Sequence, residues 1–321
     1  MIKNLMTKEK RYNTLSAYLK AKYGKKVFKV ALDGGFTCPN KDGSKGTKGC
    51  IYCTPLGSGD FAGNKDNTIT KQFSNIKARM SQKWSDAYTI AYFQANTNTY
   101  KPVQELDALY NEALMADDSI VGLNIGTRCD ALTDEVYTLL ESYNQKTDLT
   151  VELGLQSIHD KTSKFINRLH SLECFETAVK ELRKRNIEVV VHIINGFHIE
   201  SKADMIETVK YLNQFDIQGV KIHLLHVMKH TQLGHLYEKD PFSILSLNEY
   251  VDIVCDQLEW LRDDIIIHRL TGDAPKALLI EPKWSLKKFV VMNEIDKEMR
   301  RRDTYQGAKY HKNTKREPIL N

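Results

Sequence analysis

Three cysteines, Cys38, Cys50 and Cys53, fall in the segment DGGFTCPNKDGSKGTKGCIYC (33–53) with the spacing C-x11-C-x2-C. Thiolates are soft ligands that suit iron–sulfur clusters or zinc. A closed structural zinc site needs a fourth ligand, and neither a second CxxC nor a nearby histidine supplies one. Three cysteines would instead leave one iron of a [4Fe–4S] cluster without a protein ligand, open to a small molecule. The intervening DGSKGTKG carries three glycines, which let backbone amides approach cluster sulfides closely. Cys129, Cys174 and Cys255 are scattered singly along the chain, so the six cysteines do not read as a disulfide framework.

A second group with chemistry is Lys221, His223, His226 and Lys229, cationic side chains within nine residues. A lone histidine is commonly a satisfied core residue, but this grouping predicts an anion site for a carboxylate or phosphate, with Asp273 and Lys287 closing it.

The elements that must position these groups follow from periodicity. Strand-like runs recur at 27–34, 88–94, 119–127, 149–156, 187–195, 217–225 and 265–270, with helical patterns between most of them, such as 69–84, 102–117 and 171–186. This alternation is the signature of βαβ units and a parallel sheet. Within the runs, Val151, Leu153 and Leu155 oppose Glu152, Gly154 and Gln156, and Leu123, Ile125 and Thr127 oppose Asn124, Gly126 and Arg128. A doubly wound sheet covered on both faces would read as nearly continuous apolar residues. One polar and one apolar face instead predict an α/β fold, a partial or closed parallel β/α barrel with helices outside and a polar lumen. The cysteine loop leaves the C-terminal end of the first strand, where such barrels place function. The organisation expected is an N-terminal helical segment (1–26), the barrel (27–270) and a C-terminal extension (271–321) with one helix near 285–301 and a basic tail.

Composition is that of a globular enzyme, with 41% hydrophobic and 27% charged residues and a net charge of +5. No apolar run approaches the roughly 18 residues of a membrane span, and no signal sequence is evident, so no membrane is expected and the cytoplasm is the expected location. Residues 297–316 hold eight Lys/Arg against two acids, with Tyr305 and Tyr310 interleaved. Such a tail can track phosphates while its aromatics stack on bases, or it is simply a solvated terminus.

The RYNTLSAYLKAKYG opening, the LDGGFTCPNKDG…GCIYC loop, YFQANTNTY (92–100), GTRCD (126–130), VELGLQS (151–157) and HRLTGDAP (268–275) together resemble the radical S-adenosylmethionine (SAM) superfamily. Within it the chain resembles the YtqA/YhcC-like branch, related to the Elp3-type radical SAM domain. The resemblance covers nearly the whole chain. It implies a [4Fe–4S] cluster on Cys38, Cys50 and Cys53, and SAM as cosubstrate, cleaved to a 5′-deoxyadenosyl radical. Where many members have a Gly-Gly-Glu motif for the SAM amino group, this chain has Gln94 and Asn96, which otherwise form a polar turn. Glu152 takes the usual place of the ribose ligand, unless it makes an internal ion pair with Arg128 or Lys221. Gln156 follows at the barrel mouth, and Arg128 would pair the SAM carboxylate or an anionic substrate. The branch further implies tRNA as partner, through its anticodon loop, and removal of the carboxymethyl group from 5-carboxymethylaminomethyl-uridine to leave 5-aminomethyl-uridine. Hydrogen abstraction at the carboxymethyl methylene, oxidation and C–N hydrolysis releasing glyoxylate would accomplish it. A flavodoxin- or ferredoxin-type protein would donate the electron. The alternatives are a radical SAM enzyme acting on a peptide or small metabolite, and a non-catalytic nucleic-acid-binding module with a structural zinc.

Overall fold

The computed structural model describes residues 5–57 and 59–314. Seven parallel strands form one sheet: β1 (Val27–Leu32), β2 (Tyr88–Phe93), β3 (Ile120–Thr127), β4 (Asp148–Gln156), β5 (Glu188–Asn195), β6 (Gly219–Leu224) and, after a short β7 (Val227–Met228), β8 (Ile266–Arg269). They correspond one for one to the seven runs read from the sequence. Every neighbour in the sheet is the next sheet strand along the chain, with β1 and β8 at the two ends. A doubly wound sheet reverses its order partway. Right-handed crossovers that always step the same way put all connecting helices on one face, which is the topology of a partial β/α barrel. β7 pairs antiparallel with β9 (Leu279–Glu281) in a separate ribbon, an element too short for its periodicity to be read.

Two compact units are distinguished by their contacts: Leu19–Gly154 with Arg168–Val190, and Met1–Tyr18 with Leu155–Asn167 and Val191–Asn321. The first contains β1 to β3 and most of β4, most of α1 (Leu15–Tyr23), and α2 (Ile69–Ser81), α3 (Val103–Met115) and α4 (Asp134–Asn144). Val30, Leu32, Phe93, Leu123, Ile125, Val151 and Leu153 are fully buried in it, each worth about 1.5–3 kcal/mol of burial. The residues that alternate with them, Lys29, Asn124 and Glu152, are left for the opposite face.

The second unit holds α5 (Asp160–Phe165), then, following α6 (Leu172–Lys184) of the first, α7 (Lys202–Leu212), α8 (Gln232–Lys239), α9 (Leu247–Trp260), α10 (Lys288–Arg301) and α11 (Ala308–Thr314). Helices α7 and α9 start at reciprocal capping boxes, Ser201 with Asp204 and Ser246 with Glu249, so two otherwise orphaned amides are satisfied at each start. Helix α10 packs on α9 through buried Val291, Ile295 and Met299. Residues expected to be a basic tail, tracking phosphates or simply solvated, thus continue into α11, while Lys315 and Arg316 of that stretch lie outside the described residues.

Candidate functional site

The cysteine loop is folded by its own backbone. Cys38 O accepts from the amides of Lys41 and Asp42 at 2.8 and 3.1 Å, Asn40 O from Gly49 N at 2.6 Å, and Cys50 O from Cys53 N at 3.0 Å. Asn40 Nδ2 points at Cys50 Sγ, 3.5 Å away. All three loop cysteines are free thiols. A hydrogen bond with Cys53 draws the Cys50 thiol down towards its ionised form, against burial, and the Arg128 charge adds to it. The ionised form is the ligating one. Three thiols in one polar loop beside a cation fit a polynuclear, anionic cluster.

Asn96 fastens this loop to the end of β2. With a left-handed φ of 60°, it donates from Nδ2 to Phe36 O at 3.0 Å and accepts on Oδ1 from Lys41 Nζ at 3.2 Å. Lys41 Nζ also reaches Thr54 O at 3.2 Å and Pro55 O at 3.3 Å. Gly57 must be glycine here, because a Cβ would lie 1.9 Å from Asn96 Oδ1. Asn96 therefore positions the loop, and the side chain left open at this strand end is Gln94, half-buried and without a hydrogen-bond partner among the described residues.

Arg128, at the end of β3, is buried. It forms a bidentate pair with Asp130, both distances 2.9 Å, and donates to Arg168 O at 2.9 Å. Asp130 in turn holds Lys45 of the cysteine loop at 2.7 Å. Burial raises the Asp130 pKa, but Arg128 and Lys45 outweigh it and hold the carboxyl down at about 2. The guanidinium expected to meet Glu152 or the SAM carboxylate is therefore engaged locally.

Glu152 has no solvent-exposed side-chain surface. Its Oε1 accepts from Lys29 Nζ at 2.7 Å and Asn124 Nδ2 at 3.0 Å, and its Oε2 from the Tyr92 hydroxyl at 2.8 Å. The Lys29 ammonium also lies over the Tyr92 ring, 5.0 Å from its centroid. Sequence reasoning missed Lys29. Its signal was present: a lysine in the otherwise apolar VFKVAL run, at the alternation that faces it inward.

In the other unit, Gln156 ends β4 with a left-handed φ of 63°, an uncommon backbone for a non-glycine residue and one that clusters at functional sites. On β6 and the loop after it, Lys221 is buried, and the His223 ring lies 5.2 Å from that of His192. Gly272 closes against both: a Cβ there would meet His226 Cε1 at 2.9 Å and His223 Nδ1 at 3.8 Å. The Nε2 atoms of His223 and His226 and the hydroxyl of Thr271 are buried without partners among the described residues. Burial pushes His223 well below the usual histidine range, with the neighbouring His192 and Arg269 adding, and holds His226 at about 4. The expected all-cationic cluster is therefore two neutral imidazoles beside Lys221, with Arg269 joined to Asp273 at 3.4 Å. Lys229 lies beyond β7 with an exposed side chain. It is Lys288, not Lys287, that meets Asp273, at 2.8 Å.

Two of the eight basic residues of 297–316, Arg302 and Lys309, are held within the protein. Arg302 pairs with Asp252, Asp256 (2.9 Å), Glu259 (3.5 Å) and Glu298 (2.7 Å), and Lys309 with Asp256 (3.1 Å) and Glu259. Arg300 and Arg301 remain exposed, Arg301 paired to Glu298 at 2.7 Å.

Residues 43–212 match a model of the family described as the Radical SAM superfamily, and residues 217–301 match the Radical_SAM C-terminal domain. The first match includes Cys50 and Cys53 and begins after Cys38. A Bacillus subtilis (strain 168) protein named YtqA is 49% identical over 299 residues, 93% of this chain and 92% of its own length. A tRNA uridine(34) acetyltransferase of Methanocaldococcus infernus is 25% identical over 163 residues, 48% of this chain and 30% of its own length. Among solved structures, Methanocaldococcus infernus Elp3 with an N-terminal deletion superposes with a TM-score of 0.65 at 17% identity, covering 90% of this chain and 68% of that one.

Proposed function

The chain belongs to the radical SAM superfamily, and from that premise we propose that it modifies the wobble uridine of tRNA, converting 5-carboxymethylaminomethyl-uridine to 5-aminomethyl-uridine. Enzymes of this family use a [4Fe–4S] cluster and SAM. When bound, the cluster would supply one-electron reduction of SAM and with it radical hydrogen-abstraction chemistry. Cys38, Cys50 and Cys53 would hold the cluster. The Gln94 amide offers its carbonyl oxygen to the SAM ammonium. Glu152 already accepts from at least three donors, so a ribose hydroxyl must displace one of them or use what remains of its acceptor capacity. Arg128 acts on the cosubstrate as a fixed positive charge beside the cysteine loop, and Gln156 lies at the end of the same strand as Glu152.

The observation that carries the substrate reading is the group at β6 and its following loop: His223 Nε2, His226 Nε2 and the Thr271 hydroxyl, buried without partners among the described residues, beside the buried Lys221. A buried polar group without a partner costs about 1–3 kcal/mol, so such a set is suited to a ligand that satisfies it. A carboxylate beside the Lys221 ammonium and a neutral base edge against the two imidazoles would do so. The relative named as a tRNA uridine(34) acetyltransferase supports uridine in tRNA as the source of both.

The test is anaerobic turnover of the reconstituted enzyme with SAM, reductant and tRNA carrying the carboxymethylaminomethyl group, followed by nucleoside mass spectrometry. Formation of the aminomethyl nucleoside together with 5′-deoxyadenosine is expected. Deoxyadenosine production that responds to an RNA-free metabolite fraction and not to this tRNA would replace the reading with a small-substrate one.

A further inference from the structure

Helix α10 buries one face and leaves an apolar and basic one in water. Val291, Ile295 and Met299 pack inward on α9. At about 100° per residue, Phe289 and Arg300 fall within about 20° of one another on the opposite side, about 16 Å apart along the axis. Asn293, also exposed, lies between them on the same stripe. Phe289 is 80% exposed, more than any other large apolar side chain among the described residues, and Leu286 and Val290 in the same short stretch are 40% and 42% exposed. Surface apolar residues scattered singly need no explanation, whereas three within five residues form a patch of the kind that marks an interaction site.

The free charge around this patch is positive. Lys283 and Lys287 are exposed and meet no carboxylate among the described residues, and the first turn of α10 holds no acid. Asp273 is taken by Lys288 at 2.8 Å and Arg269 at 3.4 Å, and Glu281 accepts from the Lys283 backbone amide at 3.1 Å. At the far end of the stripe Arg300 reaches a backbone carbonyl, Glu9 O at 3.2 Å. A second copy of the chain meeting this face in a two-fold contact would set the same patch against itself, lysine against lysine. A polyanion that carries flat apolar faces suits both features at once, because aromatic side chains stack on bases while basic ones follow the backbone.

We propose that the exposed face of α10 is a docking surface for a single-stranded segment of tRNA, with a base stacked on Phe289 and backbone phosphates at Lys283, Lys287 and Arg300. Every base has a face that can stack, so this surface holds the RNA without reading its sequence and leaves the choice of nucleoside to the reacting site. The proposal rests on the tRNA reading above but uses none of the residues assigned to the reaction.

The experiment is binding of unmodified tRNA to the cluster-loaded protein without SAM, measured by filter binding across a salt series. Phe289→Ala should lower affinity at least about tenfold, the scale of one lost base stack, with the salt slope unchanged because the ring carries no charge. Phe289→Leu should lose as much, whereas Phe289→Trp should retain affinity and show added indole fluorescence that tRNA quenches. Lys283→Ala with Lys287→Ala should flatten the plot of log affinity against log salt by about 1.4. These side chains are exposed, so melting curves of the variants should match the parent. Phe289→Leu binding as well as the parent would overturn the proposal by showing that no base stacks there. Phe289→Ala binding with parental affinity, in a protein whose parent converts the carboxymethylaminomethyl nucleoside, would remove the surface and leave the reaction standing. Phe289-dependent binding without that conversion would keep the surface and remove the reaction. A parental dimer that Phe289→Ala dissociates in sedimentation, with tRNA affinity unchanged, would assign the face to a second copy instead.

Discussion

Glu152 and Lys29 form an ion pair of 2.7 Å in which the carboxylate is entirely removed from solvent. Such a pair adds little net stability compared with an apolar replacement, but breaking it leaves an uncompensated buried charge. Lys29→Met should therefore destabilise the apoprotein by about 3–5 kcal/mol in chemical denaturation. The double variant Lys29→Met with Glu152→Leu should recover much of the loss. A single variant as stable as the parent would mean that Tyr92 and Asn124 alone hold the charge.

The cluster ligands make a separate prediction. Replacing Cys38, Cys50 or Cys53 with Ala should abolish iron loading, while Cys255→Ala should retain about four iron per chain, as one [4Fe–4S] cluster requires. Cys38 is the sharpest case, because the family match begins after it. Iron analysis of reconstituted Cys38→Ala decides the point, and full occupancy there would remove Cys38 from the ligand set.

Much of this site was legible in the sequence for one reason: a two-residue period reports side-chain direction directly. Glu152 was legible because Val151, Leu153 and Leu155 fix the face it must occupy, and the sheet strands because their apolar faces repeat. Its partner was harder. Which cation reaches a buried carboxylate depends on strand order and register, so Lys29, from the first strand, takes the place expected of Arg128 or Lys221. Charge state was equally invisible: His223 and His226 read as cations by residue type, and only burial makes them neutral.

That neutrality has a pH signature. Histidines normally titrate near 6.5, whereas burial holds His226 at about 4 and, with Arg168 and Arg128 adding, His170 at about 3. Between these values the unfolded chain binds protons that the folded chain cannot. Stability is therefore fully present above about pH 6.5 and is lost as pH falls through the folded values, each group contributing up to about 1.4 kcal/mol per pH unit. Urea melts of the apoprotein from about pH 7 to about pH 4 should show this slope, and His226→Asn should flatten it. An identical slope in the variant would place the proton uptake elsewhere. Asp130, held down at about 2, adds its own loss only below the ordinary carboxylate range, near pH 4.

The last prediction separates basic residues that can meet RNA from those that cannot. Arg302 and Lys309 share Asp252, Asp256, Glu259 and Glu298 within the protein, and a phosphate would have to compete with several carboxylates for either. Arg300 and Arg301 keep exposed side chains, and the single surface pair of Arg301 with Glu298 is a weak competitor, worth about 0–1 kcal/mol. Each contact with a single-stranded phosphate contributes about 0.7 to the slope of log affinity against log salt. Replacing Arg300 and Arg301 together with Ala should flatten that slope by about 1.4 for tRNA, with the melting temperature little changed. Arg302→Ala should do the reverse, lowering stability because it removes the guanidinium that four clustered carboxylates share, while the salt slope stays as it was. Filter binding across a salt series, with a melt of each variant, provides both readouts. A salt slope that falls with Arg302→Ala and not with the double variant would mean that the acidic cluster opens to hand its arginine to RNA.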